Sequence, residues 1–279
     1  MLADAVERSR RVLGEEHPQT GILMSLLTFT YLETDQPAKA EALGLSTLDI
    51  RRRVLGEAHS LTVNTMVFVA RAYLHQQKYA EAEQLTRRVI ELSRNLTIEN
   101  SPFLSVGLSN LGRDYLDRHR LDLAETLCEM ALSSLRRKPD ANPQTAGQII
   151  ARMGEIRFAQ KRYSEAETLL AESLNLMEKV HFDAGYRYRV MDLHGASMAN
   201  QRKFAQAESL LLQSRQALLE REAQIPRYLN PARWISQSLE HLAQLYEGWG
   251  KPVQAAEWKQ KLAEFQQATQ EAEKKAPQP

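Results

Sequence analysis

The sequence predicts an all-α chain, built as an array of about six antiparallel helix hairpins. The first observation is a repeated phrase, since Val-Leu-Gly-Glu at 12–15 returns 42 residues later at 54–57. The second is a column of alanines, and the third is a column of small residues twelve positions before them. Two columns that keep the same irregular spacing indicate repeated structural units.

The two columns set the register of the hairpins. Successive alanines are 42, 42, 42, 41 and 48 residues apart. A turn separates the columns, so each column is predicted to lie on one helix of a hairpin, where short side chains let the backbones approach closely. The alanines are Ala40, Ala82, Ala124, Ala166, Ala207 and Ala255, and the small residues are Thr28, Ala70, Gly112, Gly154, Gly195 and Ala243.

Apolar residues around the turns recur at intervals of three and four, which is the period of a helix. Asn142-Pro143 and Asn230-Pro231 each place a capping residue before a proline, as does Ser101-Pro102. His17 and His59 occupy equivalent loops, where a capping role is favoured over metal binding. The predicted helices are 19–35 and 37–54, 60–77 and 79–95, 102–118 and 121–137, 143–160 and 163–180, 184–201 and 204–222, and 231–248 and 252–270.

The chain is predicted to open half-way through a repeat. Residues 1–14 carry the phrase that ends a second helix without a first helix ahead of it, which favours a fragment of a longer protein over a capping helix. Five hairpins follow at 15–222, a longer linker at 223–230 and the sixth hairpin at 231–266. The polar tail 267–279 is predicted to be disordered.

Composition and motifs argue against catalysis and against several kinds of partner. Lys and Arg exceed Asp and Glu by one, so no basic excess favours nucleic acid. The chain carries no phosphate-binding glycine loop, nucleophile elbow or metal-binding helix motif, and its histidines share no ligand spacing. We therefore expect a non-enzyme without cofactor or metal, and any catalytic domain would lie outside the chain.

Compartment is predicted from the single cysteine and from hydropathy. Cys128 lies on a second helix and is predicted to be a buried small residue rather than a reactive thiol. No apolar run approaches the roughly 18 residues that span a bilayer. The sequence therefore favours a cytoplasmic protein without membrane insertion, although an exported or membrane-tethered parent stays an alternative.

The hairpin pattern resembles the tetratricopeptide repeat. Leu-Gly-Glu-x-His-Pro-x-Thr at 13–20 is similar to the 42-residue variant of kinesin light chains and many bacterial proteins, and the resemblance spans residues 12–265. Pro37, Pro252 and Arg157 depart from its pattern. Residues 255–262 resemble the closing helix of repeats that follow bacterial serine/threonine kinase domains. The resemblance implies a right-handed superhelix, an α-solenoid, whose first helices line a concave groove.

Within such a groove, the first-helix residues left over from hairpin packing are the candidate binding residues. Arginines suit carboxylates, and an asparagine can hold a peptide backbone. The hypothesis is an acidic peptide with a hydrophobic anchor; the alternative is that the arginines form solvated ion pairs with nearby glutamates. The candidates are Phe68, Arg71, Leu74, His75, Asn110, Arg113, Arg152 and Glu155.

The function that follows is a protein–protein interaction scaffold, in its more specific form the regulatory part of a bacterial signalling protein such as a kinase. One alternative is a repeat regulator that senses a small ligand or signal peptide, which would need convergent polar groups in a closed site. Another is homotypic assembly, a weak homodimer, through the uncapped ends.

Overall fold

A computed structural model describes residues 1–94, 96, 102–136, 142–181, 185–225 and 230–275. Within these residues the chain forms α-helices and one short 3-10 helix, and no strand. The helices are α1 (Leu2–Leu13), α2 (Pro18–Glu33), α3 (Pro37–Leu55), α4 (Ser60–His75), α5 (Tyr79–Arg94), α6 (Pro102–Leu116), α7 (Leu121–Arg136), α8 (Pro143–Ala159), α9 (Tyr163–Lys179), α10 (Gly185–Asn200), α11 (Phe204–Glu220), α12 (Pro231–Gly248) and α13 (Pro252–Lys275).

The chain divides into two compact units. Unit 1 spans Met1–Ala141 and contains α1 to α7; unit 2 spans Asn142–Pro279 and contains α8 to α13. In unit 1, α1 packs on α2, and three hairpins follow. Unit 2 contains the other three hairpins. The predicted all-α repeat fold is confirmed.

Helix bounds agree with the predicted ones to within a few residues, except at the end of the chain. The prediction of disorder from residue 267 differs from the structure, in which α13 continues to Lys275. Apart from Thr269, this segment consists of alanine, glutamate, glutamine and lysine, and all four are good helix formers. Gln267 also donates a hydrogen bond to Glu271 one turn later. Residues 276–279 lie outside the described part.

The two columns of small residues are buried where the helices of each hairpin meet. The six column alanines on the second helices are at most 4% exposed. A side chain on Gly112 of α6 would place its Cβ 2.6 Å from Cys128 Sγ and 3.2 Å from the Ala124 carbonyl oxygen of α7. Cys128 itself is fully buried, as predicted. The close approach of the two backbones is therefore confirmed in this hairpin.

The predicted helix caps are present in the described residues. His17 Nδ1 accepts a hydrogen bond from the Gln19 N–H at 3.2 Å, and His59 Nδ1 accepts one from the Leu61 N–H at 3.2 Å. These bonds satisfy amide donors that the first helical turn leaves free. The capping role of both histidines is confirmed.

The two asparagine caps follow the same principle. Asn142 Oδ1 accepts from the Gln144 N–H at 2.9 Å, and Asn230 Oδ1 accepts from the Arg233 N–H at 3.1 Å. Both asparagines precede the proline that begins a helix. Ser101, the third predicted cap, lies outside the described residues.

Ion pairs join the turn of one hairpin to the second helix of the hairpin before it. In unit 1, Lys78 Nζ lies 2.6 Å from Glu41 Oε2, and Arg120 Nη1 lies 2.7 Å from Glu83 Oε2. In unit 2, Lys203 Nζ lies 2.7 Å from Glu167 Oε2. Each glutamate directly follows a column alanine. The recurring glutamate therefore connects successive hairpins within each unit.

The longer spacing before the last hairpin contains a segment that packs into unit 2. A 3-10 helix at Glu222–Gln224 is followed by Ile225, which is buried in a core cluster with Tyr186 and Trp234. A side chain on Gly185 would overlap Ile225. Ile225 thus anchors the predicted linker in the core of unit 2, whereas Ala223, Gln224 and Asn230 of that linker are exposed. Residues 226–229 lie outside the described part.

Candidate functional site

Helix α4 is the first helix of the second hairpin, and its predicted binding residues are buried. Phe68 is 9% exposed, and Arg71 and Leu74 are each 1% exposed. Because α4 packs against α2 on one side and α6 on the other, these side chains lie inside unit 1. The prediction that they face a partner does not match their burial, which leaves them almost no accessible surface.

Arg71 joins the first helices of three hairpins. Its Nε donates to Asp114 Oδ2 on α6 at 2.7 Å, and its Nη2 donates to Glu33 Oε1 on α2 at 3.1 Å. Burial alone would raise the pKa of the Asp114 carboxyl, but the charges of Arg71 and Arg113 outweigh it and hold that pKa far below its usual range. The predicted alternative of ion pairing describes Arg71 correctly, although the pair is buried rather than solvated.

Three other predicted residues of unit 1 keep some accessible surface. The side chain of Arg113 is 16% exposed, and its Nη2 lies 3.3 Å from Asp114 Oδ1, a long contact. The side chain of His75 is 27% exposed, with its Nε2 3.6 Å from the same carboxylate. Asn110 is partly exposed. These side chains are available for contact with a partner.

Helix α6 turns one face toward solvent. Phe103 is 71% exposed and Val106 is 37% exposed, and they lie three residues apart. Asn110 and Arg113 continue the same face at helical spacing. This face therefore combines two apolar side chains, an amide and a guanidinium.

Helix α2 shows an equivalent exposed face on the other side of α4. Ile22 is 56% exposed and Leu26 is 49% exposed. They precede Val106 and Asn110 by two repeats of 42 residues, so they hold the same positions in the hairpin. We call the set Ile22, Leu26, Phe103, Val106, Asn110 and Arg113 the α2/α6 surface.

Sequence reasoning found Asn110 and Arg113 but missed the apolar members of this surface. A signal existed, because Phe103 and Val106 occupy first-helix positions equivalent to Leu61 and Asn64. The position in the repeat does not by itself predict whether the side chain is exposed, since Asn64 is 4% exposed whereas Val106 is 37% exposed. Exposure at these positions therefore differs between α4 and α6.

Arg152 and Glu155, the remaining predicted residues, lie on α8 of unit 2. Arg152 Nη1 lies 3.4 Å from Glu155 Oε2, and the Tyr186 hydroxyl donates to Glu155 Oε1 at 3.0 Å. The Arg152 guanidinium also lies 5.4 Å from the centre of the Tyr186 ring. The charge on Arg152 is thus engaged by Glu155, which agrees with the alternative that the arginines pair with nearby glutamates, although both side chains are largely buried.

The described residues contain neither a candidate metal site nor a candidate membrane span. No group of three or more His, Cys, Asp or Glu side chains there could hold a metal ion. In the same part of the chain, no helix combines the length and apolar character that crossing a membrane requires.

Comparison with known proteins identifies the class of fold. Residues 31–95 match the tetratricopeptide repeat family. BtubC (BKLC) from P. vanneervenii is 18% identical, with a TM-score of 0.60 over 87% of this chain and 94% of that one. A putative kinesin light chain from Podosopora anserina is 19% identical, with a TM-score of 0.55 over 75% of this chain and 98% of that one.

A third solved structure is described as pilF of Pseudomonas aeruginosa. It is 13% identical, with a TM-score of 0.54 over 90% of this chain and 97% of that one. No curated protein sequence matches the chain significantly. Residues 31–95 thus match the tetratricopeptide repeat, the fold of the chain is similar to that of these repeat proteins, and this fold supports a protein–protein interaction scaffold.

Proposed function

We propose that the chain is a protein–protein interaction scaffold that binds its partner on the α2/α6 surface of unit 1. The observation that carries the proposal is the exposed face of α6, where Phe103 and Val106 stand in solvent beside Asn110 and Arg113. Exposed apolar side chains beside hydrogen-bonding groups are typical of partner-binding sites. Several such residues, on two first helices that both pack against α4, mark a surface rather than an isolated exposed side chain.

The chemistry of this surface favours a peptide segment with a hydrophobic anchor and a nearby acidic residue. Ile22, Leu26, Phe103 and Val106 offer apolar area to the anchor. Arg113 Nη2 and Nε lie 3.3 and 3.4 Å from Asp114 Oδ1, both long contacts, so the guanidinium can also pair with a carboxylate of the partner. The negative charge of Asp114 would still be balanced, because Arg71 remains hydrogen-bonded to it at 2.7 Å.

A peptide array tests this proposal with matched variants. We expect Phe103→Ser and Arg113→Glu each to lower the affinity for the captured peptides at least tenfold, because each removes an accessible contact. The control is Arg94→Glu, the same charge reversal on the exposed second helix α5. Unchanged capture by both surface variants would overturn the proposal. Arg71 is unsuitable as a test because its replacement would disturb the fold.

A second candidate function is homotypic assembly through α1. Val6 of this helix is 1% exposed, but Val12 is 68% and Leu13 is 47% exposed. Light scattering should show a concentration-dependent dimer that Val12→Ser/Leu13→Ser abolishes. A wild-type chain that stays monomeric at high concentration would exclude this contact.

The finer biological setting rests on fewer observations. The buried, single Cys128 suits a reducing compartment, which supports a cytoplasmic location. The role as part of a bacterial signalling protein is supported only by the resemblance of residues 255–262. A kinase domain encoded with this segment would support that role, and its absence from the full gene would contradict it.

A further inference from the structure

Helices α10, α11 and α12 of unit 2 bring several polar side chains together where the last two hairpins meet. Asp192 lies on α10, Arg215 on α11, and Gln237 and His241 on α12. Helix α12 packs against both α10 and α11. We call these four residues the α10–α12 seam.

Asp192 is a buried carboxylate in which only one of the two oxygen atoms has a hydrogen-bond partner. Its side chain is fully buried. Its Oδ2 lies 2.7 Å from His241 Nδ1 and 3.4 Å from Arg189 Nη1. Its Oδ1 is buried and has no hydrogen-bond partner. A buried carboxylate oxygen without a donor is costly, so this oxygen is suited to accept a hydrogen bond from a ligand.

Arg215 provides the matching donors. Its Nε and Nη1 are buried and have no hydrogen-bond partner. Burial lowers the pKa of its guanidinium, and the negative charges of Glu222 and Asp192 only partly oppose that effect. A partly buried guanidinium with two buried, unused donor nitrogens is suited to hold an anion.

Gln237 adds a second unused acceptor. Its Oε1 is buried without a hydrogen-bond partner. Gln237 precedes His241 by four residues, so both lie on one face of α12, and His241 contacts Asp192. The seam therefore contains acceptors and donors that form no hydrogen bonds with one another. The negative charge of Asp192 nevertheless acts to raise the pKa of Arg215.

We propose that the α10–α12 seam binds a small zwitterion of the α-amino-acid class. Its ammonium group would donate to Asp192 Oδ1 and Gln237 Oε1, and its carboxylate would accept from Arg215. A molecule with both charges satisfies donors and acceptors together, whereas a simple anion or cation satisfies only one kind. This site is in unit 2 and is separate from the partner surface of unit 1, so each can fail independently.

Thermal unfolding of the full chain with single L-amino acids tests the proposal. At least one of them should raise the melting temperature by on the order of 5 °C at saturating concentration. Its N-acetyl derivative and its carboxamide should give no rise, because each lacks one of the two charges. No rise with any amino acid would mean that only water occupies the seam, and the proposal would then be wrong. A rise that survives acetylation or amidation would also overturn it.

Variants locate the effect. Asp192→Asn and Arg215→Gln should abolish the rise, and calorimetry should show at least tenfold weaker binding. Gln237→Leu is the milder variant for the case in which Asp192→Asn does not fold, and it should also weaken binding. Gln244→Leu, on the exposed side of α12, is the control and should bind as the wild type does. Unchanged affinity in folded Arg215→Gln and Gln237→Leu would place the ligand elsewhere.

Discussion

At Gly112, adding a single methyl group should force the two helices of the hairpin apart. The Cβ of an alanine there would lie 2.6 Å from Cys128 Sγ and 3.2 Å from the Ala124 carbonyl oxygen. The sulfur can rotate away, but the backbone oxygen cannot. We expect Gly112→Ala to lower the free energy of unfolding by about 1–3 kcal/mol, measured by urea denaturation.

The matched control for this substitution is Gly21→Ala. An added Cβ at Gly21 meets only Arg51, at 3.8 Å, an ordinary contact. This control should be neutral or stabilising by about 0.5–1 kcal/mol, since alanine favours a helix more than glycine does. Equal effects of both substitutions would mean that the close approach at Gly112 has been misread.

Arg71 should contribute more to stability than its neighbour Arg113. Removing Arg71 leaves the buried Asp114 without its closest cation, and breaking such a pair costs about 3–5 kcal/mol. Arg113 makes only a long contact to the same carboxylate and is more exposed than Arg71, so Arg113→Met should cost less, about 0.5–1.5 kcal/mol. Urea unfolding of Arg71→Met and Arg113→Met compares them directly. A smaller or equal loss for Arg71→Met would contradict the assignment of Arg71 to the interior.

These residues show which side chains a sequence can place. Ala124 and Gly112 were assigned to the helix contact because their columns recur in every hairpin. Arg71 was assigned to a binding surface because it is a first-helix residue that the packing of its own hairpin does not use. Its burial depends on Asp114, which lies 43 residues away and approaches only when the next hairpin packs. A pattern within one repeat does not contain that information.

At the scale of helices and turns, the glutamates that follow three of the column alanines, Glu41, Glu83 and Glu167, couple neighbouring hairpins. The hydrogen bonds from Arg120 and Arg87 lower the pKa of the Glu83 carboxyl to about 2, from a usual value near 4.5. The pKa is lower in the folded state, so the stabilisation is present above pH 4.5. It is lost as pH falls from 4.5 toward 2.

Replacement of Glu83 should flatten the acid limb of the stability profile. We expect Glu83→Gln to show a smaller loss of stability between pH 4.5 and 2 than the wild type, because its amide does not titrate. Denaturant titrations at a series of pH values measure this slope. Glu81→Gln, an exposed neighbour on α5, is the control and should keep the wild-type slope. A wild-type slope in Glu83→Gln would show that the pair with Arg120 does not form in solution.

Elements were easier to predict than their ends. The hairpins follow from apolar periodicity and from capping residues such as His17, His59 and Asn142, whose side chains contact nearby amides. The extension of α13 to Lys275 was missed because its polar composition suits both an exposed helix and a disordered tail. The role of Ile225 was missed because its partners, Tyr186 and Trp234, come from other hairpin segments.

At the scale of the molecule, the sequence predicted the repeat architecture but not the surface it leaves accessible. Spacing alone gives the order of hairpins, since each contacts mainly its neighbours. Accessibility depends on how side chains of successive first helices meet. In unit 1, the packing of α4 between α2 and α6 buries most of the α4 side chains. Exposed apolar side chains remain on α2, at Ile22 and Leu26, and on α6, at Phe103 and Val106.

A charge-swap cycle between Arg113 and the acidic residue of a captured peptide tests the account most directly. Fluorescence anisotropy would measure four affinities, for wild type and Arg113→Glu, each with the acidic peptide and with a lysine in place of its acid. The account predicts that Arg113→Glu weakens the acidic peptide at least tenfold and that the lysine peptide restores binding to this variant. Strictly additive effects, without restoration, would show that the partner does not bind at the α2/α6 surface.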